Sequence, residues 1–252
     1  WSLVTEYRVR LAQEARQWPE AERLQRVSVE WNRQRAAPAL AAPPETLDGA
    51  QRNAIRSLAV SLEQLGQIEF ERGQPGCVAA YEEATSLYQH ISDQAAEANA
   101  AFNLGQAYKN LPAIRDLAQA ERCYQRGLEL IDERDHLTRG NGLGQLGLVA
   151  YERFREALTA NKPEEELLRH INAAAQFYRQ ALDLTPPNAV DSLAVKHNQL
   201  GVIYDDVGDL NRALRHYREA IRYFEAAGAL YNAATTRFNV ALALAQAGRL
   251  AD

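Results

Sequence analysis

The clearest pattern of apolar and polar positions lies between residues 194 and 225. Small and large apolar residues recur there at helical spacing on two segments, which a Gly208–Asp209 pair separates. The pattern predicts two short helices that approach closely at the small residues, while the large residues fill the gaps between them. Its members are Leu200, Gly201, Tyr204, Gly208, Ala213, Tyr217 and Ala220.

Copies of this unit occupy most of the chain. Gly66, Gly105, Gly147, Gly201 and Ala241 hold the equivalent position, at spacings of 39, 42, 54 and 40 residues. The longest spacing contains about fifteen extra residues before Ala174, and we expect longer helices or an extra turn to absorb them. Three consecutive glutamates, residues 164–166, predict a helix N-terminus within this insertion.

The spacing resembles the tetratricopeptide repeat (TPR), a helix-turn-helix unit whose neighbours stack into one continuous core. The resemblance implies an all-α fold, a right-handed α-α superhelix of about five to six repeats. Sparse glycine and proline and abundant alanine, leucine, glutamate and arginine agree with it, so we expect almost no strand. The predicted repeats lie near residues 48–91, 93–131, 136–186, 189–226 and 229–252, the last of them truncated.

The remaining segments are predicted to differ from the array at 48–252. Residues 1–37 resemble a degenerate helical pair or repeat, and residues 38–47 form an Ala/Pro linker. Pro38, Pro43 and Pro44 oppose a continuous helix there. The chain contains no methionine and stops within a repeat, so we expect a piece of a longer protein, fused to further domains.

Composition and charge exclude several classes of function. A net charge of −5 argues against a nucleic-acid partner, which needs a clustered positive surface. No apolar run approaches the ~20 residues of a membrane span, and the first residues do not form a signal peptide, so we expect no membrane partner and a cytoplasmic location. Cys77 and Cys123 lie far apart on predicted helices, which indicates two buried thiols and no disulfide framework.

The motifs that suggest chemistry have simpler explanations. Residues 142–147 match the dinucleotide fingerprint GxGxxG, but the polar residues before them do not resemble the strand that the motif requires. The five histidines lack metal-ligand spacing, and His197 and His216 are expected to pack or face solvent. Asp205, Asp206 and Asp209 are expected at a helix end and turn, in solvation and capping. We therefore expect no enzyme, cofactor or metal.

In the tetratricopeptide family the first helix of each repeat lines a concave groove that binds peptides or protein segments. The resemblance implies such a groove here, and its mixture of amides and aromatics suits a peptide backbone with a few apolar side chains. The family's clamp for a C-terminal carboxylate needs lysine and asparagine at positions such as Glu63 and Gln67, so it is not expected. The positions carried over are Glu63, Gln67, Phe70, Asn99, Phe102, Gln106, Lys109, Asn110, Asn141, Leu148, Tyr151, Glu152, Asn198, Val202, Asp205, Asp206, Thr235, Phe238 and Leu242.

The last repeat segment also resembles the repeat arrays of large bacterial STAND NTPase or caspase-like (CHAT) signalling proteins. This resemblance implies a non-catalytic scaffold that acts as the sensor or interaction domain of a larger regulatory protein. A second interpretation stays open, in which the repeats close around a small signalling peptide and change a neighbouring domain. A groove of amides and aromatics favours the first interpretation, and a buried small-ligand pocket would favour the second.

Overall fold

The computed structural model describes residues 2–249 of the chain. In these residues the regular structure consists of eleven α-helices and two 3₁₀ turns, without a strand, which confirms the predicted all-α fold. The 3₁₀ turns are Pro44–Thr46 and Pro112–Ile114. The helices are α1 (Ser2–Glu14), α2 (Trp18–Leu40), α3 (Gly49–Glu71), α4 (Cys77–His90), α5 (Gln94–Asn110), α6 (Leu117–Leu130), α7 (His136–Thr159), α8 (Glu164–Leu184), α9 (Val190–Asp206), α10 (Leu210–Ala226) and α11 (Leu230–Gln246).

The helices form two compact units, which divide between Ile131 and Asp132. The first unit contains α1–α6 and the second contains α7–α11, and within each unit consecutive helices pack against each other. We call α3, α5, α7, α9 and α11 the A helices, because each is the first of a repeat, and α4, α6, α8 and α10 the B helices. The A helices also contact one another, α3 with α5 in the first unit and α9 with both α7 and α11 in the second.

In each complete repeat, a glycine of the A helix packs directly against a tyrosine ring of the B helix. A Cβ atom built on these glycines would lie only 2.7, 2.7, 2.8 and 2.5 Å from the nearest ring atom, closer than packed carbon atoms can approach. The tyrosines are buried, with at most 3% of their surface exposed. The pairs are Gly66–Tyr81, Gly105–Tyr124, Gly147–Tyr178 and Gly201–Tyr217. Small residues therefore let the helices approach, as the sequence pattern predicts.

The turn of the best-formed repeat has a conformation that favours glycine. Gly208 has a φ of 77°, a left-handed conformation that residues with a Cβ rarely adopt. Asp209 then begins α10, and its carboxylate accepts a hydrogen bond of 2.9 Å from the backbone N–H of Arg212. The predicted capping role of Asp209 is thus confirmed.

The segment around the prolines differs from its prediction. Helix α2 continues to Leu40 with Pro38 inside it, so the expectation that a non-helical linker begins at residue 38 is wrong. Pro38 is exposed and only two residues from the helix end, where its ring removes a single hydrogen bond near the terminus. The irregular connection begins at Ala41 instead and contains the first 3₁₀ turn.

The insertion before Ala174 lengthens two helices. Helices α7 and α8 contain 24 and 21 residues, against 17 residues each in α9 and α10. The connection between them occupies residues 160–163, and the three glutamates lie in the first turn of α8, as predicted.

Candidate functional site

Glu63, a predicted contact residue on α3, forms hydrogen bonds to both neighbouring helices. The Glu63 carboxylate accepts hydrogen bonds from Tyr88 Oη at 2.6 Å and from Asn103 Nδ2 at 3.3 Å. Burial raises the pKa of the Glu63 carboxyl, and these two hydrogen bonds oppose the rise. Glu63 therefore links α3 to both α4 and α5.

The other predicted residues of this unit differ in their exposure. Phe70 is half-buried against the cluster around Tyr81, and Phe102 is half-buried with its ring centroid 6.1 Å from that of Tyr124. Lys109 is buried, with only 6% of its surface exposed, although the repeat register places it among the groove residues. Four predicted contacts are exposed, namely Gln67, Asn99, Gln106 and Asn110.

In the second unit, hydrogen bonds connect consecutive A helices. Tyr151 Oη on α7 donates to Asp206 Oδ2 on α9 at 2.8 Å. Burial raises the pKa of Asp206, and the Tyr151 hydrogen bond opposes that rise. Burial also raises the pKa of the neighbouring Asp205, and the charge of Asp206 adds to the effect. Both carboxylates lie at the end of α9, and Asp206 contacts α7 there.

The contact between α9 and α11 also involves predicted residues. Asn198 Oδ1 accepts a hydrogen bond of 3.1 Å from Thr236 Oγ1. Phe238 and Leu242 lie on α11, with 68% and 47% of their surface exposed. Phe238 is therefore available to a partner. Among the other predicted residues of this unit, Leu148, Glu152 and Val202 are half-buried, and Asn141 and Thr235 are exposed.

A cleft of about 430 Å³ lies between α7 and α9. Its walls combine amide side chains with apolar ones, and Val195 is 48% exposed within it. This mixture can bind a peptide backbone through the amides and short apolar side chains through the rest. The principal lining residues are Asn141, Gln145 and Leu148 from α7, and Ser192, Val195, Lys196 and Gln199 from α9.

Lys196 is a buried residue of this cleft, and it is not among the positions predicted from the sequence. Only 3% of its surface is exposed, and its Nζ donates to Asn141 Oδ1 at 2.9 Å and to Ser192 Oγ. The Ser192 hydroxyl in turn donates to the same Asn141 oxygen at 2.7 Å. Burial lowers the pKa of Lys196 to about 8, because the ammonium ion is removed from water.

The alignment of the repeats contains the signal that identifies Lys196. It lies five residues before the repeat glycine, Gly201. The same position in the other A helices is small and buried in every case: Ser61, Ala100, Gly142 and Thr236. Among the five A helices, only α9 therefore has a long charged residue at this repeat position, and that residue lies at the cleft.

A pair of histidines lies between α9 and α10. The Nδ1 atoms of His197 and His216 are 3.1 Å apart, and both side chains are half-buried. The ring of His197 stacks on Tyr223 and the ring of His216 stacks on Tyr204, with centroids 5.7 and 5.3 Å apart. The two histidines thus pack in the interior of the repeat, which is one of the two places predicted for them.

The dinucleotide-like motif and the two cysteines all lie within helices. Residues 142–147, which match GxGxxG, lie inside α7, where no strand and turn lead into the helix. Cys77 is buried and Cys123 is half-buried, and both thiols are free. Within residues 2–249, no three His, Cys, Asp or Glu side chains are grouped so that they could hold a metal ion. In the same residues, no helix combines the length and apolar character that crossing a membrane requires.

The comparisons with known proteins agree with this architecture. Residues 197–227, which contain α10 and most of α9, match the family model described as tetratricopeptide repeat. The match supports the tetratricopeptide family. The match covers nearly the same residues as the clearest sequence pattern, at 194–225. In TPR proteins such repeats typically form non-catalytic scaffolds for protein interaction.

A solved structure shows the same fold over most of the chain. The crystal structure of BtubC (BKLC) from P. vanneervenii is similar with a TM-score of 0.63, over 90% of this chain and 85% of that one. The two sequences are 15% identical, so the likeness concerns the fold alone. The comparison with curated proteins gives no significant match.

Proposed function

We propose that this protein is a non-catalytic scaffold whose A helices bind a peptide or protein segment. The observation that carries this proposal is the α7–α9 cleft, where amide and apolar side chains from two consecutive A helices face the same space. An extended peptide needs backbone donors and acceptors together with small apolar pockets, and the cleft offers both. The exposed Phe238 on α11 adds a large apolar contact in the same unit.

The hydrogen bonds between A helices support the same proposal. Tyr151–Asp206 and Asn198–Thr236 hold neighbouring A helices in fixed positions before any ligand arrives. A binding surface that is already ordered loses less conformational entropy when it binds. The face shared by α7, α9 and α11 is therefore suited to recognition.

A display experiment tests the proposal. A random peptide library is selected on the immobilised wild-type chain, and enriched peptides are measured against Val195→Gln and Val207→Gln. Both valines are about half-exposed on α9 or directly after it, but only Val195 lines the cleft. We expect Val195→Gln to weaken binding roughly tenfold, which corresponds to about 1.4 kcal/mol, and Val207→Gln to leave it unchanged.

Two results would contradict the proposal. The first is the absence of any enriched peptide, and the second is equal binding by wild type, Val195→Gln and Phe238→Ala. Thermal unfolding of each variant shows that the chain is still folded, so a loss of binding reports on the surface itself.

We further propose that the chain serves as the sensor or interaction part of a larger regulatory protein. The support is the resemblance of its last repeat segment to the arrays of bacterial signalling proteins. The test is the sequence of the full-length protein, in which an NTPase or protease domain beside the array is the expected result. A full-length protein without any such domain would overturn this part of the proposal.

A further inference from the structure

Lys196 places a buried charge beside the α7–α9 cleft. Its position in the repeat is occupied by Ser61, Ala100, Gly142 and Thr236 in the other A helices. A lysine there must direct its long side chain along the neighbouring helix, where its Cε lies 3.9 Å from the Cβ position of Gly144, an ordinary van der Waals distance. The side chain therefore ends at the α7–α9 cleft, beside Asn141.

The neighbours of Lys196 do not neutralise its charge. Its hydrogen-bond partners, Asn141 and Ser192, are both neutral, and no carboxylate of residues 2–249 lies within ion-pair distance of its Nζ. With a pKa of about 8, the amine is still mostly an ammonium ion at neutral pH. Buried charges in proteins are normally paired, so this one lacks the anion that would stabilise it.

Hydrogen-bond donors remain free at the same point. An ammonium group has three donors, and Lys196 uses two of them within the chain. Asn141 accepts both of its hydrogen bonds through Oδ1, which leaves its Nδ2 amide as a donor. An oxygen anion in the cleft could accept from both groups.

The number of cations at the cleft limits the charge of the anion that it can bind. Lys196 is the single cation among the residues that line the cleft, and Asp191 is a single acid. A dianionic phosphate group normally needs several cations or a bidentate arginine, which this cleft does not offer. One ammonium ion and one amide donor fit a singly charged carboxylate.

We propose that Lys196 and Asn141 bind a carboxylate group of the peptide that occupies the α7–α9 cleft. This inference rests on the proposed function, because it names the chemistry of the same partner. The carboxylate can be an Asp or Glu side chain or the C-terminus of the peptide. The subsite lies outside the positions of the family's carboxylate clamp, which Glu63, Gln67, Phe102 and Gln106 occupy here.

Four matched peptide pools test the proposal. Each contains randomised, fluorescein-labelled decapeptides with one fixed central residue: Glu, Gln or phosphoserine with a C-terminal amide, and Gln with a free C-terminal carboxylate. Binding is measured by fluorescence anisotropy with wild type, Lys196→Gln and Lys162→Gln. Lys162 is the matched control, because it is exposed in the connection between α7 and α8 of the same unit.

For wild type and Lys162→Gln, we expect at least one carboxylate pool to bind about tenfold more tightly than the amidated Gln pool. Lys196→Gln should lose this preference and still bind the amidated Gln pool. Tighter binding of the Glu pool indicates a side-chain carboxylate, and tighter binding of the Gln pool with a free C-terminus indicates a C-terminal carboxylate. Equal binding of all pools to wild type, or a preference that survives in Lys196→Gln, would overturn the carboxylate subsite and leave the peptide groove standing.

Two further outcomes count against the proposal in different ways. Tighter binding of the phosphoserine pool than of either carboxylate pool would reject the carboxylate in favour of phosphate. If no pool binds wild type, the proposed function fails together with this inference.

A direct measurement on Lys196 is independent of affinity. The chain has only three lysines, at positions 109, 162 and 196, so selective ¹³C labelling gives three assignable side-chain signals. We expect the Lys196 signal to titrate below the usual lysine range, and to move to higher pH when the Glu pool is added at saturation. A titration of Lys196 that the bound peptides leave unchanged would contradict the proposal.

Discussion

Individual glycines set how closely the paired helices approach. Gly201 shows the closest approach, since a Cβ there would lie 2.5 Å from Tyr217, whose ring is only 1% exposed. Gly144 lies in the interior of α7 as well, but the nearest atoms to its Cβ position are 3.9 Å away. The two glycines therefore separate the effect of helix packing from that of helix propensity.

We predict opposite effects for alanine at these two positions. Gly201→Ala should lower the free energy of unfolding by roughly 1–2 kcal/mol, because overpacking of about 1–3 kcal/mol outweighs a propensity gain of up to about 1 kcal/mol. Gly144→Ala should raise it by up to about 1 kcal/mol. Urea denaturation followed by circular dichroism measures both. Equal stability of the two variants would contradict the assigned Gly–Tyr contact.

The histidine pair predicts a pH dependence of stability. Burial, together with His197 and Arg215, lowers the pKa of His216 to about 4, and burial also lowers that of His197, although Glu219 opposes this. Unfolded histidines have a pKa near 6.5, so the unfolded chain binds more protons between pH 6.5 and pH 4. The contribution of this pair to the free energy of unfolding should therefore be fully present above about pH 6.5. It should fall as the pH decreases toward 4, by on the order of 1–2 kcal/mol.

Single histidine variants isolate this contribution. His216→Asn removes one titrating group of the pair, so its unfolding free energy should depend less on pH between 6.5 and 4. His136→Asn is the control, because His136 is exposed at the start of α7. Identical pH profiles for wild type and His216→Asn would show that the pair does not contribute.

For individual residues, the sequence predicted only part of the candidate site. The register predicted the A-helix residues, and Asn141, Tyr151 and Asn198 do lie where consecutive A helices meet. It could not predict that Lys109 is buried, because that depends on local contacts outside the repeat pattern. Lys196 was missed because a charged residue in the middle of a helix suggests a solvent-exposed position.

At the scale of helices, periodicity predicted the type and order of the elements well. Small residues at fixed offsets determine the A–B pairs, and turns such as Gly208–Asp209 determine where helices end. Helix boundaries were harder to predict. Pro38 does not interrupt α2, because a proline in the last turn removes one hydrogen bond and leaves the rest of the helix intact.

The insertion before Ala174 also shows that helix lengths are hard to predict from the sequence. Its acidic start correctly marked the N-terminus of α8, since carboxylates stabilise that end of a helix. Whether the extra residues form a loop or longer helices depends on the contacts that the added turns make. In the structure α7 and α8 pack together along their length, and Phe154 and Ile171 belong to one core cluster.

At the scale of the whole molecule, each compact unit has a core of its own. In the second unit one cluster includes Ile171 and Tyr178 of α8, Ile203 of α9 and Tyr217 of α10. In the first unit a cluster around Leu58, Leu62 and Tyr88 joins α3 and α4. In repeat proteins stability is approximately the sum of nearest-neighbour terms, so a fragment that keeps a complete cluster should fold.

We therefore predict that residues 1–131 and residues 132–252, expressed separately, are each helical and unfold in a cooperative thermal transition. Residues 132–186 are the matched control, because this fragment keeps α7 and α8 but removes Leu200, Ile203 and Tyr217 from the shared cluster. Its apolar face then remains uncovered, and we expect a broad transition or none. Circular dichroism during heating measures all three. A cooperative transition in 132–186 as sharp as that of 132–252, or none in 132–252, would show that the cluster across α8, α9 and α10 does not determine folding of this unit.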